Sequence, residues 1–416
     1  MRIVQGKELQ AEVRKLARRG LRSDATVEKT VTRIVNDVRQ NGDPALRRYA
    51  EKFDGLCPRQ QFRVSAEEIR APIAQIPAGL RDALKQAAAS IRQFCEWQKP
   101  QEFRRESHPG VWVGQVVRPV ESVGCYVPGG RFPLPSSLLM TVIPAQVAGV
   151  KRIAVASPRP SPETLATAAL LGVNEFYRLG GAQAIAALAF GTRSVPAVHK
   201  IAGPGNAYVT AAKRLVAFEC CGIDFLAGPT ETVYVSDDGE PAFIAADLVA
   251  QAEHDPDALA VFITSSLSLA YAVEKEVARR ARGNGNAEQS LTRGGVMLVA
   301  ESHQQALEIA NVIAPEHITV SAEDVSSVTS AGSIFVGGYS SQALGDYASG
   351  PNHVLPTGGV ARFRGGLSVM DFLKVITIQE VSLDGLRSLA PAVETLATAE
   401  GLVAHAESVR ARYTDA

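Results

Sequence analysis

The order of apolar and polar positions divides the chain into a helical first part and a longer part in which strands and helices alternate. In ATVEKTVTRIVNDVRQNGD, valine and isoleucine recur at helical spacing from Val27 to Val38, and Asn41-Gly42 ends the run. The stretch LRDALKQAAASIRQFCEWQ predicts a second long helix. VWVGQVVRPVESVGCYVPGG alternates and contains turn residues, which predicts two strands followed by a loop. We expect residues 1–110 to form a helical region that packs on the core.

Short apolar runs such as KRIAVASP, HKIAGPGN, ETVYVSDD and HITVS then alternate with helical stretches, up to SIFVGG. This alternation predicts parallel sheets that are covered on both faces. We expect an α/β protein with two Rossmann-like domains, over residues 111–236 and 237–338. Residues 339–416 are predicted to begin as a long loop and to end in one helix, LAPAVETLATAEGLVAHAESVRARY. The segment RARGNGNAEQSL is interpreted as a flexible loop.

Composition and charge exclude several classes of function. The 416 residues contain 43 Lys and Arg and 43 Asp and Glu, so no basic field is available for nucleic acid or an anionic membrane. The longest apolar run, LLMTVIPAQVAGV, is interrupted and too short to span a bilayer, and MRIVQGKELQ lacks the apolar core of a signal peptide. Five cysteines without a CxxC pair are typical of free thiols in a reducing compartment. We therefore expect a cytoplasmic protein with no nucleic-acid or membrane partner.

The stretch DLVAQAEHDPDA places polar residues where a helix should be apolar. With Ile244 as reference, Leu248 and Gln251 fall on the stripe that should be buried. Asp247, Gln251 and His254 form a polar ridge along the edge of this stripe. An amide oxygen and a ring nitrogen three residues apart can share one cation. A helix end at which Gln and His bond to the backbone is an equally good interpretation of the spacing alone.

Glu316 and His317 stand together in IAPEHITV, directly after Pro315. Neighbours in a regular strand face opposite ways, so both reach one cleft only if they form the turn that enters the strand. We expect this turn at the sheet edge where open α/β proteins bind ligands. A carboxylate with an imidazole is a plausible acid–base pair. Taken alone, the pair is more simply a surface Glu and a capping His.

Three further segments offer chemistry without specifying it. GDYASGPNHVLPT contains Asp346 and His353 in a glycine-rich loop, and TAEGLVAHAESV contains Glu400 and His405 on the C-terminal helix. Periodicity alone makes His405 an exposed helix residue. KIAGPGNAYV is similar to a phosphate-binding turn in which Asn206 opens a helix, but the GxGxxG fingerprint is incomplete. From these residues alone the protein is an α/β enzyme, with or without a metal, and its substrate stays open.

The same segments, taken together and in order, resemble the histidinol dehydrogenase family. The resemblance is carried by GCYVPGGRFPLPSSLLMTVIPAQVAGV, LGGAQAIAALAFGT, KIAGPGNAYVTAAKRL, DFLAGPTE, DLVAQAEHDPDA, APEH and GDYASGPNHVLPT. It implies a zinc- and NAD-dependent oxidoreductase that converts L-histidinol through L-histidinaldehyde to L-histidine, the end of histidine biosynthesis, in two hydride transfers. It also implies one zinc ion per subunit, NAD binding in the first Rossmann-like domain, zinc and acid–base residues in the second, and a homodimer whose C-terminal segments cross over to complete the partner's active site.

The resemblance assigns a role to each candidate residue. The implied zinc ligands are Gln251, His254, Asp346 and His405. The implied substrate contacts are Thr230, Gln251, His254, His317, Asp346, Glu400 and His405. The implied NAD contacts are Tyr126, Gln183 and Asn206. His317 would be the base for each oxidation, Glu316 would activate water for the second, and Glu400 and His405 would come from the other subunit.

Two other functions fit part of this pattern. A dehydrogenase of the same fold could act on another small alcohol, such as a sulfopropanediol, although the carboxylate of Glu400 favours a cationic substrate over a sulfonate. A zinc hydrolase could use Glu316 to activate water, and its activity would not need NAD. Thr230 stands where the family more often has Ser, which keeps the hydroxyl but adds a methyl group.

Overall fold

The structure is a computed structural model that describes residues 1–20, 24–129, 133–217 and 219–413. Its strands are β1 Arg2–Gln5, β2 Phe103–His108, β3 Val111–Pro119, β4 Ser122–Tyr126, β5 Arg152–Ala156, β6 Glu175–Tyr177, β7 Lys200–Ala202, β8 Gly222–Ile223, β9 Glu231–Val235, β10 Leu259–Thr264, β11 Val296–Val299, β12 His317–Val320, β13 Ser333–Val336 and β14 Leu373–Val381. Its α-helices are α1 Leu9–Ala17, α2 Ala25–Tyr49, α3 Ala66–Arg70, α4 Ala78–Trp97, α5 Pro135–Ala148, α6 Pro162–Leu170, α7 Gly181–Phe190, α8 Ala207–Val216, α9 Pro241–Ala252, α10 Leu267–Arg280, α11 Gly285–Arg293, α12 His303–Ile313, α13 Gln342–Tyr347, α14 Leu383–Ala399 and α15 Val403–Arg410.

The chain divides into two compact units. The first contains Met1–Gln98 and Glu121–Phe372, and the second contains Lys99–Val120 and Leu373–Ala416. Two parallel sheets lie in the first unit, which confirms the predicted α/β class. The boundaries of the four segments proposed from the sequence stay predictions.

The six-stranded sheet of the first unit has the order β1-β11-β10-β9-β12-β13, and all of its neighbouring strands are parallel. Its strands are apolar on both faces because each face is covered by helices. Val233, Val261 and Leu298 pack with residues of α1 and α12 on one face. Phe262 and Met297 pack with α9, α10 and α11 on the other. The sheet is therefore held rigidly from both sides.

The five-stranded sheet of the first unit has the order β6-β5-β4-β7-β8 and is also parallel. The helical spacing of Val31, Ile34, Val35 and Val38 predicted the apolar side of α2, and this side packs with α7 and α8 in one core. Gly42 interrupts α2 with a φ of 53°, at the position where the sequence predicted its end. Helix α5 is buried on nearly all sides, in keeping with its uniformly apolar sequence.

The second unit contains a three-stranded antiparallel sheet with the order β14-β3-β2, followed by α14 and α15. Strands β2 and β14 were not predicted from the sequence. The sequence did predict β3 and β4 as strands, but they belong to different sheets and do not pair with each other. The apolar side chains of β14 are largely exposed, including Ile376 and Ile378.

Several local predictions were wrong. The segment RARGNGNAEQSL is not a flexible loop: it contains the start of α11, which Asn284 caps by accepting a hydrogen bond from the Ala287 N–H. The single C-terminal helix is two helices, because Gly401 takes a φ of 76° between α14 and α15. The helix expected between β12 and β13 is one 3₁₀ turn, Val325–Ser327. The long loop before residue 360 contains a short helix, α13. The end of the loop after β4 includes residues 130–132, which lie outside the described residues.

The first few residues also differ from a purely helical N-terminal region, because β1 forms the edge of the six-stranded sheet beside β11. Most of the rest of this region up to Trp97 is helical, as predicted, but β2 makes residues 103–108 a strand. Across the described residues, the structure contains no helix that is both long enough and apolar enough to cross a membrane.

Candidate active site

Glu316 and His317 lie at the start of β12, where this strand enters the six-stranded sheet. Helix α12 ends at Ala314, which has a left-handed backbone with a φ of 51°, and His317 then pairs in register with Thr232 of β9. Glu316 and His317 are only 6% and 3% exposed, so the interpretation of a surface Glu and a capping His was wrong. We call the edge where parallel strands begin the amino edge and the opposite one the carboxyl edge. The pair lies at the amino edge, although the carboxyl edge was expected.

Backbone groups of Glu231 hold this pair from the neighbouring strand. The Glu231 N–H donates to Glu316 Oε2 at 2.9 Å, and His317 Nδ1 lies 3.3 Å from the Glu231 carbonyl oxygen. The imidazole also has a carboxylate on each side, with Nδ1 3.7 Å from Glu316 Oε2 and Nε2 3.4 Å from Asp346 Oδ1. A hydrogen on Nδ1 that faces the carbonyl leaves Nε2 as the basic nitrogen of the neutral ring.

Burial and close charges shift the pKa of each group in this cluster. Burial raises the pKa of Glu316 to about 8, and the neighbouring imidazole opposes this only in part. Burial lowers the pKa of His317, but Glu316 and Asp346 outweigh it and the net shift is upward. Burial raises the pKa of Asp346, but the hydrogen bond and charge of His317 bring it below its ordinary value. Glu316 thus titrates near the neutral range, as general acid–base catalysts do, and the pKa of His317 lies above its ordinary value.

Gln251 brings the end of α9 to the same cluster. It is 1% exposed, as its place on the apolar stripe predicted, and its Nε2 donates to Asp346 Oδ2 at 2.9 Å. Its Oε1 is buried and has no hydrogen-bond partner among the described residues. The alternative in which Gln251 bonds to the backbone is therefore wrong. His254 is exposed three residues later, close enough to Asp346 to lower its pKa.

Two buried polar contacts anchor helix α13, which carries Asp346. Ser341 Oγ donates to Asp247 Oδ1 at 2.9 Å, which gives the third residue of the polar ridge on α9 a structural partner. Gln342 is fully buried, accepts from Thr232 Oγ1 at 2.7 Å and donates to Thr319 Oγ1 at 3.0 Å. Helix α13 is thereby tied to β9 and β12, which brings Asp346 to the start of β12.

Two aromatic contacts complete this arrangement. The rings of His317 and Phe335 stack with centroids 5.8 Å apart. A Cβ atom at Gly345 would lie 2.6 Å from Cζ of Phe335, so glycine is required beside Asp346 for this close approach.

His353, which the sequence analysis noted without a role, also belongs to this site. Its Nδ1 lies 2.7 Å from the backbone oxygen of Asp346, and its Nε2 lies 3.4 Å from Ser137 Oγ on α5. Burial lowers the pKa of His353, which favours the neutral ring. Its contact with α5 joins residues 216 positions apart, so helix and strand periodicity could not have revealed it.

The donors around Gln251 fit a metal ion. The unpartnered amide oxygen of Gln251, a carboxylate of Asp346 and the exposed imidazole of His254 are oxygen and nitrogen ligands that zinc accepts. Within the described residues, no group of three or more His, Cys, Asp or Glu side chains is arranged to hold a metal. Of the three candidate ligands in the first unit, only His254 and Asp346 are of these types, because the third, Gln251, is an amide. A buried acceptor without a partner is costly, and a cation would satisfy it.

A second group of candidate residues lies at the carboxyl edge of the five-stranded sheet. Tyr126 ends β4, and its hydroxyl oxygen accepts from the Gly181 N–H at 3.1 Å. Gln183 is buried on α7 and donates to Asp54 Oδ2 at 3.1 Å, a contact the sequence did not suggest. Asn206 is exposed and caps α8 by accepting from the Tyr208 and Val209 N–H groups, as predicted.

The turn before Asn206 is held from within. Gly203 donates to Asp224 Oδ2 at 2.8 Å and accepts from Lys213 Nζ at 3.0 Å, and Lys213 and Asp224 form a buried ion pair. With a φ of 120° and the Tyr126 backbone in contact, only glycine fits this position. The turn is thus a rigid platform of the kind that binds phosphate groups.

The remaining candidate residues are Thr230 of the first unit and Glu400 and His405 of the second. Thr230 is half-buried and directly precedes β9, next to Glu231. Glu400 and His405 belong to the second unit, where both are exposed, Glu400 at the end of α14 and His405 in α15. The first unit by itself therefore assembles Gln251, His254 and Asp346.

Comparison with known proteins identifies the family. The histidinol dehydrogenase family profile matches residues 17–413. The chain belongs to the histidinol dehydrogenase family. Histidinol dehydrogenase from Gluconobacter oxydans is 46% identical, over 95% of both chains, and that from Methanosarcina mazei is 44% identical, over 97% of this chain and 96% of the relative.

The fold gives the same result. The crystal structure of histidinol dehydrogenase from Elizabethkingia anophelis matches with a TM-score of 0.94 at 36% identity, over 99% of this chain and 98% of that chain. The chain is accordingly an oxidoreductase, and the family name assigns it to histidine biosynthesis. These matches favour histidinol over the other small alcohol considered from the sequence, and an oxidoreductase over a zinc hydrolase.

Proposed function

We propose that the protein oxidises L-histidinol through L-histidinaldehyde to L-histidine, with zinc bound and NAD+ as the oxidant of both steps. The observation that carries the proposal is the buried cluster at the amino edge of the six-stranded sheet. There, His317 lies between the carboxylates of Glu316 and Asp346, and Asp346 accepts a hydrogen bond from Gln251, whose amide oxygen has no partner among the described residues. Acid–base groups thus stand beside candidate cation ligands in one buried cluster.

His317 is the proposed base of the first oxidation. Its Nε2 takes the proton of the substrate hydroxyl while hydride leaves the carbon that carries this hydroxyl. The hydrogen bond from Nδ1 to the Glu231 carbonyl keeps the ring oriented. Asp346 stabilises the charged ring after the proton has arrived, since its carboxylate lies 3.4 Å from Nε2.

Glu316 is the proposed group that activates water for the second oxidation. The aldehyde has no hydride to give until water adds to form a gem-diol, and that water must lose a proton. A carboxyl group with a pKa of about 8 can accept and return a proton near neutral pH. His317 then acts again as base when the gem-diol loses its hydride.

Gln251, His254 and Asp346 are the proposed zinc ligands of the first unit, and His405 the fourth. When bound, the ion would hold the imidazole and amine nitrogens of the substrate. The same three residues, with Thr230, His317, Glu400 and His405, would contact histidinol. The carboxylate of Glu400 suits a cationic amine.

Tyr126, Gln183 and Asn206 are the proposed NAD contacts. NAD+ would accept one hydride in each oxidation. The three residues follow β4, β6 and β7 at one edge of their sheet, and open α/β sheets bind nucleotides at this carboxyl edge. The fixed turn at Gly203, which leads into the start of α8, could bind the pyrophosphate without a GxGxxG sequence.

A cytoplasmic homodimer with shared active sites completes the proposal. Exposed apolar residues of the second unit favour cover by a second copy, among them Val375, Ile376, Leu396 and Val403. His405 and Glu400 are exposed on this unit, where they are available to a partner. All five cysteines are free, as expected in a reducing compartment.

The proposal is tested by the yield of NADH per histidinol consumed by the zinc-loaded protein. Two NADH molecules are expected. A yield of one would contradict the four-electron oxidation. Turnover of an ester or amide without NAD+ would instead favour a hydrolase.

A further inference from the structure

We infer that Arg19 is a positioning residue for Glu316 and His317, and that it acts on them through Glu231. The inference rests on the acid–base roles proposed above. Arg19 follows α1, and its partner Glu231 is 212 positions away, at the start of β9. Neither residue has a place among the proposed catalytic, metal or NAD contacts.

The guanidinium of Arg19 uses all five of its N–H donors. Nε and Nη2 form a fork on the two carboxylate oxygens of Glu231, each at 2.5 Å. Nη1 donates to the backbone oxygens of Leu16 and Ile313 at 2.8 and 2.7 Å, and Nη2 also donates to that of Ala314 at 3.3 Å. Bidentate pairs of this kind fix direction as well as distance.

Arg19 thus acts as a clamp between the two segments that hold the acid–base pair, the start of β9 and the end of α12. Glu231 presents its N–H to Glu316 and its carbonyl to His317, so a shift of the start of β9 would displace both side chains. Ile313 is the last residue of α12 and Ala314 its C-cap, and only Pro315 separates them from Glu316 in the chain. Arg19 therefore binds both the start of β9, which orients the pair, and the end of α12, which leads into the pair.

Ala314 shows why the backbone at this point needs support. Its φ of 51° is unfavourable for a residue with a Cβ atom. The hydrogen bonds of Arg19 to the carbonyls of Ile313 and Ala314 hold this turn, and the Gly358 N–H supports the other side of the clamp by donating to Glu231 Oε1 at 2.9 Å.

The same fold contains a matched ion pair that does not approach the active site. Arg152 forms a fork on Glu175 at 2.9 and 2.7 Å and donates to the backbone oxygens of Pro196 and Ala197. It pairs β5 with β6 in the five-stranded sheet. Arg152→Met therefore removes a similar set of hydrogen bonds without loosening Glu316 or His317.

The experiment measures kcat and KM for histidinol in the zinc-loaded full-length enzyme, with Arg19→Met, Arg19→Lys and Arg152→Met. Arg19→Met is expected to lower kcat about 10–100-fold, because a displacement of about 1 Å in the reacting groups costs about this much. KM and zinc content should change less than about twofold. Arg19→Lys keeps the charge but loses the fork, so an intermediate kcat is expected. Arg152→Met should leave kcat within about twofold.

A double variant tests whether Arg19 acts through the pair. Added to His317→Ala, Arg19→Met should lower the residual rate less than it lowers the rate of the wild type, because one of the two groups that Arg19 positions is gone. Full additivity, or equal losses of kcat in Arg19→Met and Arg152→Met, would overturn the inference. If Arg19→Met does not fold, Glu231→Gln and Arg19→Lys decide by the same criteria.

The outcomes also separate this inference from the proposed function. If His317→Ala kept its turnover, the acid–base assignment would fail whatever Arg19 did. If His317→Ala were inactive while both Arg19 variants turned over normally, only the positioning role would fail.

Discussion

The two parallel sheets of the first unit present their candidate functional residues at opposite edges. In the five-stranded sheet, Tyr126, Gln183 and Asn206 follow the ends of their strands, at the carboxyl edge. In the six-stranded sheet, Glu316 and His317 stand at the beginning of β12, at the amino edge.

The carboxyl edge of the six-stranded sheet is occupied by a different cluster. His303 lies there between two carboxylates, with Nδ1 2.9 Å from Asp237 Oδ2 and Nε2 2.9 Å from Asp324 Oδ2. Asp237 also accepts from Thr264 Oγ1, and Asp324 from Ser321 Oγ. These polar groups satisfy one another, whereas the amide oxygen of Gln251 at the amino edge has no partner in the described residues. The unsatisfied buried oxygen of Gln251, rather than a general rule about sheet edges, therefore supports placing the proposed site at the amino edge.

The largest expected effect is the loss of the acid–base pair at the amino edge. His317→Ala or Glu316→Gln should lower kcat about 10²–10⁴-fold, since a positioned acid or base contributes this much. Zinc content, measured by elemental analysis, should be unchanged. His303→Asn changes a histidine at the opposite edge of the same sheet and should keep kcat within about twofold. Equal losses in all three variants would remove the distinction between the edges.

The next effect concerns the metal. Gln251→Leu keeps the buried volume but removes the unpartnered oxygen, and zinc affinity should fall at least about 10–100-fold. Zinc retained after dialysis against a weak chelator measures this. Gln146→Leu is the control, because Gln146 is a half-buried glutamine on α5 that bonds to the Leu171 carbonyl. Normal zinc retention in Gln251→Leu would contradict the assignment of Gln251 as a ligand.

A smaller effect is expected at the carboxyl edge of the five-stranded sheet. Asn206→Ala should raise KM for NAD+ about 3–10-fold, on the order of 1 kcal/mol, as for the loss of one hydrogen bond. KM for histidinol should be unchanged. The substitution also removes a helix cap, so Ser161→Ala, which uncaps α6, is the matched control for stability. A rise in KM for NAD+ in both variants would point to general destabilisation.

The smallest expected effect is a pH dependence of stability at His303. Burial lowers its pKa, but the hydrogen bonds and charges of Asp324 and Asp237 outweigh this and raise it above 6.5. The stabilisation is therefore complete below about pH 6.5 and is lost as the pH rises through the raised value. It should not exceed about 1 kcal/mol, because the ring is partly exposed. Urea unfolding of His303→Asn should differ from wild type more at about pH 6 than at about pH 9. The opposite order would contradict this sign.

Much of the fold follows from local patterns in the sequence. The burial of Gln251 followed from its place on an apolar stripe, and the helix cap of Asn206 followed from the residues around it. The amino-edge position of Glu316 could also have been inferred, since IAPEH precedes the strand HITV. The carboxyl edge was expected because open α/β sheets bind ligands there, but Glu316 precedes its strand in the sequence and so must lie at the amino edge.

Other features depend on contacts between distant parts of the chain. Arg19 and Glu231 resemble ordinary surface charges when each is viewed with its sequence neighbours, and only the fold brings them together. The same holds for Asp54 with Gln183 and for His353 with Ser137. The break at Gly401 was missed because apolar spacing continues through it, and a positive φ leaves no periodic signal.

The edge position of β1 has a consequence for synthesis on the ribosome. Arg2 pairs in register with Val296, so the first strand made must wait for one of the last strands of its sheet. At about 5–20 residues per second, this delay is roughly 15–60 s. During that time the six-stranded sheet cannot close and the nascent chain exposes an unpaired strand. Chaperone demand should therefore fall on β1 until β11 has been made.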